Sequence, residues 1–132
     1  MATYKVAELE GALLDASVAK AEGFNVREDG RWRSAIGWEL APRFSADWQL
    51  AGPIIERERI VTVPTTGYED DGPTFWAATC LGPEGAFSHY IDEPLPFSTY
   101  RDDPAAAVGA TPLIAAMRAF VASRLGETVD LP

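Results

Sequence analysis

The chain has 132 residues, 47% of them apolar and 23% charged, which are globular values that exclude a disordered chain and fit one domain with a modest core. A single cysteine, Cys80, excludes an internal disulfide and a cysteine-rich zinc site, and a single histidine, His89, leaves a metal site dependent on carboxylates, so neither metal nor cofactor is expected. The formal net charge of −9 is unevenly placed: residues 64–103 hold eight acids and one base, residues 1–63 ten and eight, and residues 104–132 two of each. That distribution disfavours direct nucleic-acid binding, which needs clustered Lys and Arg, and permits attraction to a basic partner. No apolar run approaches the length of a membrane span and no basic-then-apolar leader is present, so the expected location is the cytoplasm.

Residues 3–6 alternate weakly and suit a short edge strand. Glu8 and Glu10 then stand where a helix start favours acid, and Gly23 is placed to close that helix. Leu9, Ala12, Leu13 and Ala16 form one face and Leu14 and Val18 lie toward the other, so the helix is apolar most of the way round. Gly11 is a poor mid-helix residue and implies a first-turn position or close packing. Residues 24–34 read as a hairpin turning at Asp29-Gly30, with Trp32 on the return strand, extended by residues 36–40 and stopped by Pro42.

Residues 45–56 are the least ordinary stretch. Asp47 is suited to N-cap a single turn holding Trp48, and Gly52-Pro53 starts a second short turn carrying Ile54 and Ile55. Glu56 and Arg59 are spaced as a helical pair. A tryptophan-bearing loop flanked by charge suits a binding surface. The competing expectation is a loop pinned to the core by Trp48 and the two isoleucines.

Residues 60–63 form a β-branched strand ended by Pro64, followed by an acidic turn at 66–72. Residues 74–81 are apolar on both faces, with Phe75, Ala77 and Leu81 opposite Trp76, Ala78 and Cys80, as in the middle strand of a sheet. Both rings are expected to be largely buried, and Cys80 acts there as a small hydrophobe. One more strand at 86–91 and an irregular, proline-rich crossover through residue 104 lead to the clearest helix. Thr111 caps it, Pro112 takes its first position and Gly126 closes it. Leu113, Ile114, Met117, Phe120, Val121 and Leu125 form its core face, and Arg124 can snorkel or bond the last carbonyls. The opposite face, Ala115, Ala119, Ala122 and Ser123, is uncharged; the plain reading is that alanine is the best helix former, and the alternative is that this face packs on the N-terminal helix or its copy in a homodimer. Residues 128–131 suit a terminal strand.

Three blocks carry a family resemblance. They are Glu8-Leu9-Glu10-Gly11-Ala12-Leu13-Leu14-Asp15 with residues 18–23, Phe44-Ser45-Ala46-Asp47-Trp48 with residues 52–58, and residues 111–132. In this order they resemble the phage NinX-like family, a domain of unknown function, across almost the whole chain (residues 1–132). The chain departs from the family pattern at Leu50-Ala51, where a glycine is common, and at Ala16-Ser17, where an aromatic is common. The resemblance implies a phage or prophage protein acting in the cytoplasm of a bacterial host, and it brings no catalytic residue with it.

The strongest enzyme reading joins His89, Cys80, Asp92 and Glu93, a histidine beside acids serving as general base. No nucleophile elbow, phosphate-binding glycine loop or metal-binding helix motif accompanies them. The expected fold is therefore one α+β domain, an antiparallel sheet of about four strands packed with two main helices. The expected function is non-catalytic, by interaction with a host or phage protein and without contact to a membrane. Asp47, Trp48, Gly52, Pro53, Glu56 and Arg118 are the candidate binding residues. The alternatives are an acidic decoy of a nucleic-acid-binding protein and an enzyme of unknown reaction.

Overall fold

A computed structural model of the chain describes residues 2–27, 29–65, 75–84 and 106–132. Strand β1 (Ala2–Lys5) runs through a short 3-10 turn (Val6–Glu8) into helix α1 (Gly11–Ala21). Strands β2 (Arg31–Ser34) and β3 (Gly37–Leu40) follow, then helix α2 (Trp48–Glu58) and strand β4 (Ile60–Pro64). After β5 (Trp76–Cys80) and β6 (Ala106–Gly109) come helix α3 (Pro112–Leu125) and strand β7 (Thr128–Leu131).

The α+β class and the antiparallel pairing stand. Among the described residues the strands are shared between a three-stranded sheet, β4-β5-β6, and two separate pairs, β1-β7 and β2-β3. A third helix joins the two expected. Strand β5 is central to the larger sheet, as its two-sided apolarity requires, and buries Ala77 and Ala78. Its aromatic neighbours are less buried than expected: Trp76 is half-buried, and Phe75 is half-buried one residue outside the strand. Ala78 belongs to the core that the α3 side chains build, and Trp76 packs partly buried against it.

Helix α3 lies against all three strands of that sheet and against α1. Leu113, Met117, Phe120 and Val121 are buried, and so are Ala115 and Ala119 from the opposite face. The alanine stripe thus packs inside the chain, leaving Ala122 half-buried and Ser123 exposed. One strand–helix crossing is especially tight. A Cβ on Gly109 would lie 2.7 Å from the backbone nitrogen of Ala115 and 2.8 Å from Ile114 Cγ2, so only glycine fits where β6 turns into α3. The α3 ends are as the sequence dictates: the Ile114 N–H donates to Thr111 Oγ1 at 3.1 Å, Pro112 opens the helix, and the Gly126 N–H donates to the Ala122 carbonyl.

Helix α1 buries six consecutive residues, from Leu14 to Ala19, which bears out its all-round apolar reading, although Ala12 of the expected face is exposed. Gly11 is a first-turn residue. The hairpin differs from expectation. Residues 37–40 do not extend the preceding strand but reverse and pair with it, Arg31 opposite Leu40 and Ser34 opposite Gly37. The loop is Ala35 and Ile36, stabilised by Ser34, whose hydroxyl donates to the Gly37 carbonyl and accepts from the Ile36 N–H. Gly37 at φ +127° supplies a backbone conformation other residues avoid. The Asp29-Gly30 reversal closes only one isolated bridge, Val26 with Trp32.

Residues 45–56 are corrected most. Two broken turns were expected, but residues 48–58 form one continuous helix. Pro53 removes only the bond to the Gln49 carbonyl. Gly52 has no Cβ to clash with the proline ring, which is what normally drives the residue before proline out of helical space. Ala51, Ile54 and Glu58, at i, i+3 and i+7, are the buried stripe that holds the helix down. The expected acidic turn at 66–72, the strand at 86–91 and most of the crossover lie outside the described residues.

Candidate functional site

Helix α2 gathers five of the six candidate residues. Asp47 Oδ1 accepts from the Gln49 N–H at 2.9 Å, the cap expected of it. Trp48, on the first turn, remains 56% exposed, so it is no core plug. Leu50 stands exposed on the other flank, and Pro53 and Glu56 are exposed beyond it. Gly52 follows Trp48 at i+4, and a Cβ there would meet nothing within 4 Å, leaving a notch between Trp48 and Glu56. Arg118 does not join this group. Its Nε donates to the Leu9 carbonyl and its Nη1 to the Val108 carbonyl, each at 2.8 Å, and it acts as a strut between β6 and the start of α1. Burial lowers its pKa, and Glu10 partly opposes that shift.

Both ends of α2 are fixed by buried carboxylates that sequence reasoning missed. At the C-terminal end, the side chain of Glu58 is 2% exposed and is gripped from two sides. Arg57 Nε donates to Oε2 at 2.9 Å and Arg124 Nη2 to Oε1 at 2.8 Å. Arg57 also bonds both carboxylate oxygens of Glu22, which holds its pKa above the ordinary arginine value through the Glu22 and Glu58 hydrogen bonds. The guanidinium carbons of Arg57 and Arg124 lie 5.8 and 5.3 Å from the Phe120 ring centroid. Burial would raise the Glu58 pKa, but the two arginines outweigh it and hold the carboxyl below its ordinary value. At the N-terminal end, Asp15 Oδ1, buried on α1, accepts from the Ser45 N–H at 2.9 Å. Here burial wins and the carboxyl is pushed up, against the Ser45 hydrogen bonds and Arg43.

An open concavity of about 570 Å³ lies elsewhere, lined by Lys20, Phe24, Arg27, Arg33 and Trp38 among others. The nearest sequence signal for it was the alternation of arginine and tryptophan through residues 31–33, read only as a strand. Of the residues weighed for catalysis, Cys80 is half-buried with Sγ 3.9 Å from the Glu58 carbonyl oxygen, and His89, Asp92 and Glu93 lie outside the described residues. Among the described residues no cluster of His, Cys, Asp and Glu could hold a metal ion, and no helix is long and apolar enough to cross a membrane.

The chain is thus a small α+β protein with an exposed tryptophan on a capped helix and with the buried Asp15 and Glu58 carboxylates engaged at the two ends of that helix. The family model described as Bacteriophage P22, NinX, matches residues 5–124, and the chain belongs to that phage family. No curated protein matches it.

Proposed function

We propose that this NinX-family chain is a non-catalytic phage accessory protein, acting in the host cytoplasm by binding a host or phage protein through the outer face of α2. The observation that carries this reading is Trp48. A large aromatic ring stands more than half exposed on a helix turn that is immobilised by its own cap and by the buried stripe beneath it. Exposed tryptophans on rigid scaffolds are the commonest anchors of protein interfaces, because their area is large and few torsions are frozen on binding. Gly52 gives a partner side chain room beside the ring, and Asp47 and Glu56 supply a polar rim.

The test is capture of partners from lysate of phage-infected host cells by the parent chain and by Trp48→Ala, with mass spectrometry of what is retained. The expected result is a partner retained by the parent and lost by the folded variant, with retention that survives moderate salt. Equal capture by the two proteins removes α2 from consideration. Retention that collapses steeply with ionic strength favours the acidic-decoy reading instead.

A further inference from the structure

The β2-β3 hairpin inverts the usual polarity of a two-stranded ribbon. Across the ladder Arg31 pairs with Leu40 and Arg33 with Trp38, and all four side chains are exposed. The half-buried face holds Trp32, Ser34, Gly37 and Glu39. Arginine and bulky apolar groups therefore share the outer surface. Arg27 joins them from the preceding segment: its guanidinium carbon lies 5.0 Å from the Trp38 ring centroid, and that of Arg33 lies 5.9 Å away.

Arg31 is paired with Asp29, and Arg57 and Arg124 with Glu58. Among the described residues Arg27 and Arg33 have no carboxylate partner and rest on an indole instead, in a chain whose acids outnumber its bases by 20 to 11. Both line the concavity, with Lys20, whose ammonium donates to the Asp130 carbonyl, and with Asn25 and Pro132. Phe24 lies on the same wall, exposed, with its ring held edge-on by Trp32 at 4.7 Å and 65°. The surface thus offers two guanidinium forks, an ammonium group and a propped, exposed aromatic ring.

We propose that this concavity binds a nucleoside phosphate. Guanidinium forks match phosphate oxygens in pairs, and an exposed ring beside them is a stacking surface for a base. Its volume of about 570 Å³ falls in the range of small-ligand sites. The net charge of −9 repels a long polyanion, so the fitting ligand is a free nucleotide or a short stretch of single strand. This site is independent of the α2 surface.

The test is titration of the 15N-labelled full chain with adenosine monophosphate, adenosine, inorganic phosphate and a deoxyadenosine hexamer, followed by NMR. Adenosine monophosphate should shift the amides of Asn25, Val26 and Arg27 and the Trp38 indole N–H saturably. Adenosine and phosphate alone should each bind about tenfold more weakly, since each reaches only half of the site. The double variant Arg27→Ala, Arg33→Ala should lose about tenfold or more in affinity with an unchanged melt, and the corresponding double lysine variant should fall between. Tighter, arginine-dependent binding of the hexamer identifies a strand as the source of the ligand, and weaker binding identifies the free nucleotide. The proposal is overturned if neither nucleotide ligand gives saturable shifts, if the double alanine variant binds as the parent does, or if inorganic phosphate binds as well as the nucleotide. Any of those outcomes leaves the Trp48 experiment untouched.

Discussion

The two ends of α2 are held by the same chemical group in opposite states. At the C-terminal end Glu58 is buried between two guanidiniums and its pKa is lowered. At the N-terminal end Asp15 is buried against a backbone N–H, with Arg43 acting only through its field, and its pKa is raised. Burial disfavours both charges, and the difference lies in how directly a positive charge reaches the oxygens. One end of the helix is therefore clamped by charge, while the other is tethered by a hydrogen bond that a neutral acceptor can also make. The tethered end is the one that carries the exposed tryptophan.

The largest break in this comparison is Glu58→Ala. It strips Arg124 of its carboxylate partner and Arg57 of one of its two, Glu22 remaining, and empties a fully buried site. The arginine side chains are 44% and 42% exposed and can recover water, so the loss should be about 2 kcal/mol, below the usual cost of orphaning a fully buried pair. Urea denaturation of parent and variant measures it.

A pH series sharpens the contrast without a large structural change. Glu58 has a folded pKa below its ordinary 4.5, so its stabilisation is present above 4.5 and is lost as pH falls through the lower folded value. Asp15 has a folded pKa above its ordinary 3.8, so its ionisation penalty grows as pH rises from 3.8 through the folded value. Asp15→Asn keeps an acceptor for the Ser45 N–H and removes the charge. It should melt no lower than the parent at neutral pH, by up to about 1 kcal/mol in its favour, and the gap should close on acidification. Destabilisation by more than that at neutral pH would show that the Asp15 charge itself is needed, and the comparison would fail.

The smallest effect is expected at Trp48. With more than half its surface in water, Trp48→Ala should shift stability by about 1 kcal/mol or less, against the 3–5 kcal/mol of a buried tryptophan. A larger loss in the urea melt would mean that the tethered end is built on the ring after all.

What was legible in the sequence is what chemistry fixes within a few residues. The Asp47 and Thr111 caps, Pro112 at the helix start and Gly126 at its end all depend on neighbours three or four positions away. The two-sided apolarity of β5 was legible because burial on both faces leaves a mark in composition. The Glu58 clamp was not, because Arg124 is 66 positions distant and nothing local marks a glutamate for burial. The hairpin was mis-registered because Asp29-Gly30 is a stronger local turn signal than Ala35 and Ile36, while the longer ladder forms at the weaker one. Residues 48–58 were read as broken because a proline is a local breaker, and the long-range burial of Ala51, Ile54 and Glu58 overrides it. Of the candidate site, Trp48 was found by composition, and its exposure needed the fold.

The pairing of β1 with β7 sets an order of events in time. Ala2 lies opposite Leu131 and Lys5 opposite Thr128, so this ladder joins the two most distant parts of the described chain. During synthesis at some 5–20 residues per second, β1 emerges first and waits several seconds for its partner. Until then its edge is open, and Val129 and Leu131, buried in the finished fold, are not yet there to cover the core. The ladder also closes the longest loop in the fold, whose entropy must be overcome before its contacts form. Its amides should therefore be among the last to gain protection in a pulsed hydrogen-exchange refolding experiment, after those of α3 and the three-stranded sheet.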